Sequence, residues 1–171
     1  MPAAGHAIFT FDDLTWAAAR ARGMCFPQDR LAMALIDDPA IERLLVCDPP
    51  RSAPVKLARD LLQRPARFES TPRACLWQPL RLRRRDPVSV AALERAYAAY
   101  DRRLRRAAER FGLDRPAVIT GQPFVAAFAG LEWAGPVTLY ATDDLAAHPD
   151  YKRWRPALEA AYERVAKRRR R

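Results

Sequence analysis

Short apolar runs alternate with helical segments along the whole chain, and this alternation is the feature that most constrains the fold. Five runs have the length and the β-branched or aromatic content of buried strands: residues 7–11, 44–47, 74–77, 117–120 and 137–141. Strands that alternate with helices form a parallel sheet with helices on both faces. Right-handed crossovers then predict the strand order 3-2-1-4-5. We therefore predict a single α/β domain of the Rossmann-like class over residues 1–166, followed by a basic tail, 167–171.

The longest helix is predicted between the third and fourth strands. Asp86, followed by proline, is a suitable N-cap, and Gly112 is a suitable stop. Between them, apolar residues recur every three or four positions and form one continuous stripe: Leu93, Tyr97, Tyr100, Leu104, Ala107 and Phe111. Such a stripe indicates a helix that packs against the sheet.

The best-defined single unit is residues 117–130, where a strand passes through Gly121 into a helix that starts at Pro123. Glycine permits the sharp turn, and proline suits the first helical position. In the predicted order, strands 2 and 3 are added on one side of strand 1, and strands 4 and 5 are added on the other side. The topological switch point therefore lies between the first and the fourth strands. Ligands bind at the carboxyl edge of such sheets, near that point. This edge would carry residues 12–16, residues 120–124 and, one strand away, the pair Asp143 and Asp144.

The Asp143–Asp144 pair has two interpretations. A carboxylate at this edge can orient or deprotonate a substrate hydroxyl, or coordinate a metal. The alternative is a turn that simply ends the fifth strand. Trp16 likewise either stacks on a ligand from a loop over residues 14–26 or packs onto the edge of the domain.

Several kinds of site have no matching motif in the sequence. No glycine-rich dinucleotide or phosphate-binding loop occurs. His6 and His148 lie far apart, without cysteine or histidine at ligand spacing, so we expect no metal site and no resident cofactor. Three widely spaced cysteines and no apolar run of membrane length indicate buried free thiols in a cytoplasmic protein.

The chain is strongly basic, with 30 Lys and Arg against 20 Asp and Glu and a net charge of +10. Lysine is rare and alanine abundant, a bias typical of GC-rich coding sequences, so the total charge alone does not indicate a polyanionic partner. Three clusters, at 81–85, 102–106 and 167–171, contain 13 of the 30 basic residues. These clusters can be solvated helix faces, or they can contact phosphates or an anionic membrane.

Four segments together resemble a known family. They are F-T-F-D-D-L-T-W at 9–16, R-G-M-C-F-P-Q-D-R-L at 22–31, V-I-T-G-Q-P-F-V at 118–125 and Y-A-T-D-D at 140–144. In this order they resemble the amino-terminal half of bacterial GT-B type glycosyltransferases, in particular the family 4-like enzymes of teichuronic-acid and cell-surface polysaccharide synthesis. Many of those enzymes have a glycine-rich loop where this chain has Asp-Asp-Leu-Thr-Trp.

The resemblance implies transfer of a sugar from a nucleotide-sugar donor, which is a substrate and not a cofactor, to a hydroxyl of a glycan, lipid or small acceptor. It also implies that this domain holds the acceptor and that a carboxy-terminal domain binds the donor. The chain alone, without that partner domain, is then expected to be inactive. Asp143 and Asp144 are the implied catalytic residues. The implied substrate-binding residues are Phe11, Asp12, Trp16, Arg20, Arg22, Thr120, Gly121, Gln122 and Phe124.

The alternative is a non-catalytic basic module that binds nucleic acid or the anionic inner face of a membrane. Nucleic acid is the less favoured of these partners, because no stacking aromatics are interleaved with the arginines. The module hypothesis predicts that the arginine clusters converge on one face. The glycosyltransferase hypothesis predicts scattered arginines and a partly apolar cleft face.

Overall fold

The structure, a computed structural model, describes residues 5–62 and 66–168. In chain order the elements are β1 (His6–Thr10), α1 (Trp16–Ala21), α2 (Pro27–Asp37), β2 (Arg43–Cys47), β3 (Arg51–Ser52), α3 (Ala53–Leu62), β4 (Ala74–Trp77), β5 (Leu80–Arg81), α4 (Val90–Arg110), β6 (Ala117–Thr120), α5 (Pro123–Phe128), β7 (Val137–Leu139), a 3-10 helix (Pro149–Trp154) and α6 (Arg155–Arg168).

Five of the strands form one parallel sheet in the order β4-β2-β1-β6-β7. This is the order 3-2-1-4-5 of the five predicted strands, so the predicted Rossmann-like architecture is confirmed. The central strand is β1, where Phe9 is paired with Val46 of β2 and Ile119 of β6. The two-residue strands β3 and β5, which the sequence did not predict, pair separately beyond the carboxyl end of the main sheet.

Alternate residues of the strands supply two separate cores, one on each face of the sheet. Ile8 belongs to the core beneath α4, α5 and α6, and Phe9 belongs to the core beneath α1 and α2. The predicted stripe of α4 is largely confirmed, since its buried residues are Leu93, Tyr97, Tyr100, Leu104 and Ala108. Burying a large apolar side chain of this kind stabilises the fold by about 1.5–3 kcal/mol.

Two local predictions were wrong. Residues 14–26 are not one loop, because Thr15 caps the short helix α1 by accepting a bond from the backbone N–H of Ala18. Helix α4 begins after Ser89 and not at Asp86, whose carboxylate instead pairs with Arg81. Helix α6 continues to Arg168 and so includes the first two residues of the predicted basic tail, 167–171, while residues 169–171 lie outside the described part of the chain.

The cysteines match the expectation of buried free thiols only in part. Cys47 is buried, as expected, but Cys75 is only partly buried and Cys25 is exposed. No helix in the described part of the chain combines the length and the apolar character needed to cross a bilayer.

Candidate functional site

The structure brings the ends of three strands together at the predicted edge of the sheet. Asp12 follows β1, Gly121 follows β6 and Asp143 follows β7, and all three line one crevice of about 10 Å³. A cavity of this volume is at the lower limit of what can hold one water molecule. The residues lining it are Asp12, Gln28, Gly121, Pro123, Ala141, Thr142, Asp143, Leu145 and Tyr162. We refer to these loops and the crevice between them as the rim.

Asp12 is the most perturbed carboxyl group of the rim. Its Oδ2 accepts a hydrogen bond from Gln28 Nε2 at 2.9 Å, and its Oδ1 accepts one from the backbone N–H of Asp13 at 2.5 Å. Burial, followed by the negative charge of Asp13, raises the pKa of Asp12 from 3.8 to about 6. A carboxyl group with this pKa exchanges protons near neutrality, as a general base must.

Gln28 is a rim residue that the sequence analysis did not identify. It is buried at the second position of α2, and its Oε1 accepts a bond from the backbone N–H of Asp12 at 3.2 Å. A Cβ on Gly121 would lie 2.6 Å from the Gln28 amide, so the absence of a side chain at 121 lets the two loops approach. The sequence contains one signal that could have pointed to Gln28. Pro27 marks the start of a helix, and the first turn of that helix is directed at the rim.

Thr120 and Gln122 hold the rim together. Thr120 Oγ1 lies 2.5 Å from Thr10 Oγ1 in the interior of the sheet. Gln122 caps α5, with its Oε1 accepting a bond from the backbone N–H of Phe124 at 3.3 Å, while its Nε2 donates to the backbone carbonyl of Asp12 at 3.0 Å. Both residues were predicted to bind substrate, but their side chains are engaged within the protein.

Asp143 and Asp144 are both exposed, but they differ in their contacts. Asp144 Oδ1 accepts bonds from the backbone N–H groups of Ala146 at 3.0 Å and Ala147 at 3.4 Å, so it closes a turn. Asp143 lines the crevice, and its recorded hydrogen bond is a long one of 3.5 Å from Thr142 Oγ1. Of the predicted catalytic pair, Asp143 is therefore the one better placed to contact a ligand.

The three predicted aromatic contacts are core residues. Phe11, Trp16 and Phe124 are 1%, 5% and 6% exposed. The Trp16 ring packs edge-on against Phe68, with centroids 4.8 Å apart, so its faces are not open to a sugar. The prediction that Trp16 stacks on a ligand was wrong, because Trp16 starts α1 and faces the core.

The two predicted anion-binding arginines lie in different surroundings. Arg22 forms a bidentate ion pair with the buried carboxylate of Asp29, at 3.0 and 2.9 Å, and is not available to an anion. Its guanidinium also lies 4.0 Å from the ring centroid of Phe26. Arg20 is exposed in the last turn of α1.

Phe26 is the aromatic side chain that the sequence analysis missed. It is 51% exposed and lies two residues before Gln28, at the N-cap of α2. Its ring is stacked against the Arg22 guanidinium on one side. An exposed ring held in this way beside the rim can pack against the apolar face of a sugar.

Two further side-chain contacts join distant segments at the same end of the sheet. Tyr151 Oη donates to Asp13 Oδ2 at 2.7 Å, and burial together with this bond raises the pKa of Tyr151. The buried carboxylate of Asp48 accepts a bond from the backbone N–H of Trp16 at 2.7 Å and one from Gln78 Nε2 at 2.8 Å. Both contacts span long stretches of sequence, so no local pattern predicted them.

No group of three or more His, Cys, Asp or Glu side chains within residues 5–62 and 66–168 is arranged to hold a metal ion. Comparison of the chain with protein-family models, with curated proteins and with solved structures finds no significant match.

Proposed function

We propose that this chain is the acceptor-side domain of a glycosyltransferase of the GT-B type. Its reaction would be transfer of a sugar from a nucleotide-sugar donor to a hydroxyl of a glycan, lipid or small acceptor, in the synthesis of cell-surface polysaccharide. The donor would be held by a second, donor-binding domain. The observation that carries the proposal is the rim, where Asp12 and Asp143 line one crevice at the carboxyl edge of a Rossmann-like sheet.

Asp12 is assigned the general base. The acceptor hydroxyl gives its proton to the Asp12 carboxylate while its oxygen bonds to the anomeric carbon of the donor sugar. The bond between that carbon and the donor phosphate breaks, and the nucleoside diphosphate leaves with the bonding electrons. A raised pKa of about 6 makes the Asp12 carboxylate a better proton acceptor than an ordinary aspartate while leaving it largely ionised at neutral pH.

The size of the crevice defines what enters it. About 10 Å³ admits a single hydroxyl group but not a sugar ring. The ring would therefore lie over the rim, with one hydroxyl directed to Asp12. Asp143 would accept a bond from a neighbouring hydroxyl, and Phe26, which is 51% exposed, would cover the apolar face of the ring.

The test is backbone amide NMR of the whole chain, titrated with a panel of soluble glycans. The proposal expects shifts confined to the rim for at least one glycan, centred on residues 12–13, 28, 121 and 142–143. Asp143→Asn is expected to weaken that binding about tenfold, the typical value of a hydrogen bond to a charged group.

Asp114→Asn is the matched control, since Asp114 is exposed in the loop that precedes β6, at the opposite edge of the sheet. The control is expected to bind like the unmodified chain. Shifts spread over the whole surface, or none for any glycan up to its solubility limit, would overturn the proposal.

The competing hypothesis of a non-catalytic basic module has one observation in its favour. The guanidinium of Arg103 donates to the backbone carbonyl of Leu80 at 2.6 Å, so the clusters at 81–85 and 102–106 adjoin in the fold. Two clusters thus lie together, as the module hypothesis expects. A surface of this kind is compatible with a transferase.

A further inference from the structure

The loop between β5 and α4 presents a leucine among arginines. Leu82 is 88% exposed, and it is followed directly by three exposed arginines at 83–85. Two apolar neighbours in the same segment are also exposed, Leu80 at 40% and Val88 at 41%. A single exposed leucine needs no explanation, but an aliphatic tip surrounded by positive charge is typical of surfaces that bind anionic lipid.

The base of this loop is held in place by specific contacts. Arg81 pairs with the Asp86 carboxylate and donates to the backbone carbonyl of Arg84 at 3.4 Å. Trp154 Nε1 donates to the carbonyl of Pro87 at 3.0 Å. The tip, residues 82–85, therefore projects from a fixed base, and its leucine is not folded back onto the protein.

The second arginine cluster continues this surface along α4. Arg103, Arg106 and Arg110 line a groove of about 450 Å³ between α4 and β4, and the described residues that line it include no Asp or Glu. Because an α-helix rises 1.5 Å per residue, the three arginines span about 10 Å along the axis of α4. Trp77 and Phe111 are the largest of the apolar residues that line the groove. We call loop 82–85 and these three arginines the basic surface.

We propose that the basic surface docks on an anionic lipid bilayer, with Leu82 entering the headgroup region. The arginines attract anionic headgroups, and the leucine supplies the apolar contact that a purely electrostatic patch lacks. Nucleic acid fits this surface less well, because residues 80–88 contain no aromatic ring on which a base could stack, and the rings of Trp77 and Phe111 in the groove are partly buried against the core. The inference does not depend on sugar transfer, since the basic surface and the rim share no residue.

The experiment is co-sedimentation of the whole chain with vesicles of phosphatidylcholine alone and of phosphatidylcholine mixed with phosphatidylglycerol. Binding is expected for the mixed vesicles only, and it should be lost at about 1 M salt, where charges are screened within about 3 Å. Arg83→Ser with Arg85→Ser should weaken partition about 25-fold, at about fivefold per arginine. Leu82→Ser should weaken it about tenfold at unchanged charge.

The matched control removes two exposed arginines elsewhere, Arg30→Ser with Arg67→Ser, at the same net charge as the loop variant. It should partition like the unmodified chain, with thermal unfolding confirming that every variant is folded. The proposal would be overturned if the control and the loop variant lost partition equally. It would also be overturned if the chain bound neutral vesicles as well as mixed ones, or did not bind mixed vesicles at all. So would tighter binding to single-stranded or duplex RNA that the loop variant abolishes, because the surface would then belong to a nucleic-acid partner.

Discussion

Gln28 holds Asp12 through both ends of its amide group. Its Nε2 donates to Asp12 Oδ2 at 2.9 Å, and its Oε1 accepts from the Asp12 backbone N–H at 3.2 Å. This pair fixes the carboxyl of Asp12 relative to the backbone of its own loop. Gly121 lies directly against the same amide. The position of the proposed base is therefore set by two residues, Gln28 and Gly121, from two other segments of the chain.

Gly121→Ala is expected to disrupt this arrangement. The added Cβ would lie 2.6 Å from both terminal atoms of the Gln28 amide, which is buried and cannot move aside without losing its bonds to Asp12. The free energy of unfolding should fall by about 1–3 kcal/mol. Denaturant titration measures the loss. In the Gln28→Ala background the same change should cost markedly less, and equal costs in both backgrounds would show that the two residues do not interact.

Asp12→Asn tests the raised pKa through the pH dependence of stability. Because the folded-state pKa, about 6, lies above the ordinary value of 3.8, the native state binds the proton more tightly. The free energy of unfolding should therefore fall as pH rises between about 4 and 6 and remain lower above that range. Asp12→Asn should remove this decrease, so that the stability of the unmodified chain relative to the variant falls by about 1 kcal/mol between pH 4 and 7, a value reduced for the partial solvent exposure of the group. The variant also loses one of the two acceptor oxygens of Asp12, and this cost is the same at every pH.

The measurement is denaturant unfolding at a series of pH values. Asp114→Asn is the control, as an exposed aspartate in the loop before β6, and should leave the shape of the profile unchanged. A profile for Asp12→Asn that runs parallel to that of the unmodified chain would contradict the assignment.

Arg22→Met distinguishes a structural role from anion binding. The Asp29 side chain is fully buried. Without Arg22, its carboxylate would still accept the hydrogen bond from the backbone N–H of Phe26, at 3.2 Å, but it would have lost its ion pair. Removing the partner of a buried carboxylate is strongly destabilising, so we expect a loss of about 3 kcal/mol. Arg20→Met, at an exposed position in the same segment, should stay within about 0.5 kcal/mol. A loss below that seen for Arg20→Met would mean that the pair contributes nothing to stability.

Asp101→Ala should loosen the segment that follows α5. Asp101 Oδ1 accepts bonds from the backbone N–H of Leu131 and from Trp133 Nε1, both at 3.0 Å. Loss of a charged acceptor shared by two donors should cost about 2–3 kcal/mol in thermal or denaturant unfolding. Asp101→Asn, which keeps one acceptor oxygen, should recover most of this stability. If both variants are equally destabilised, the charge and not the acceptor is what matters.

The order of the sheet could be predicted because its causes are local. Strand and helix periods, together with the handedness of crossovers, are properties of short segments, and they placed β1, β6 and β7 side by side. The same reasoning predicted that Asp12, Gly121 and Asp143 would meet at one edge. The start of α4 was predicted wrongly, because Arg81 competes for the carboxylate of Asp86.

The side-chain contacts of the rim could not be predicted in this way. Gln28 reaches Asp12 from the next helix, and Tyr151 reaches Asp13 across 138 positions of sequence. Trp16 reads from sequence as a loop aromatic, yet it is buried because α1 turns it toward the core. Such contacts depend on how whole elements pack, and no local pattern encodes them.

The central position of β1 has a consequence for how the chain acquires its structure. β1 is synthesised well before β6, because its pairing with β6 joins residues 110 positions apart. Until residue 120 has left the ribosome, one side of this strand has no neighbour, and the proposed base at its tip lacks the Gln122 contact. Shortening the chain from its carboxyl end past β6 would thus open the middle of the sheet, not its margin.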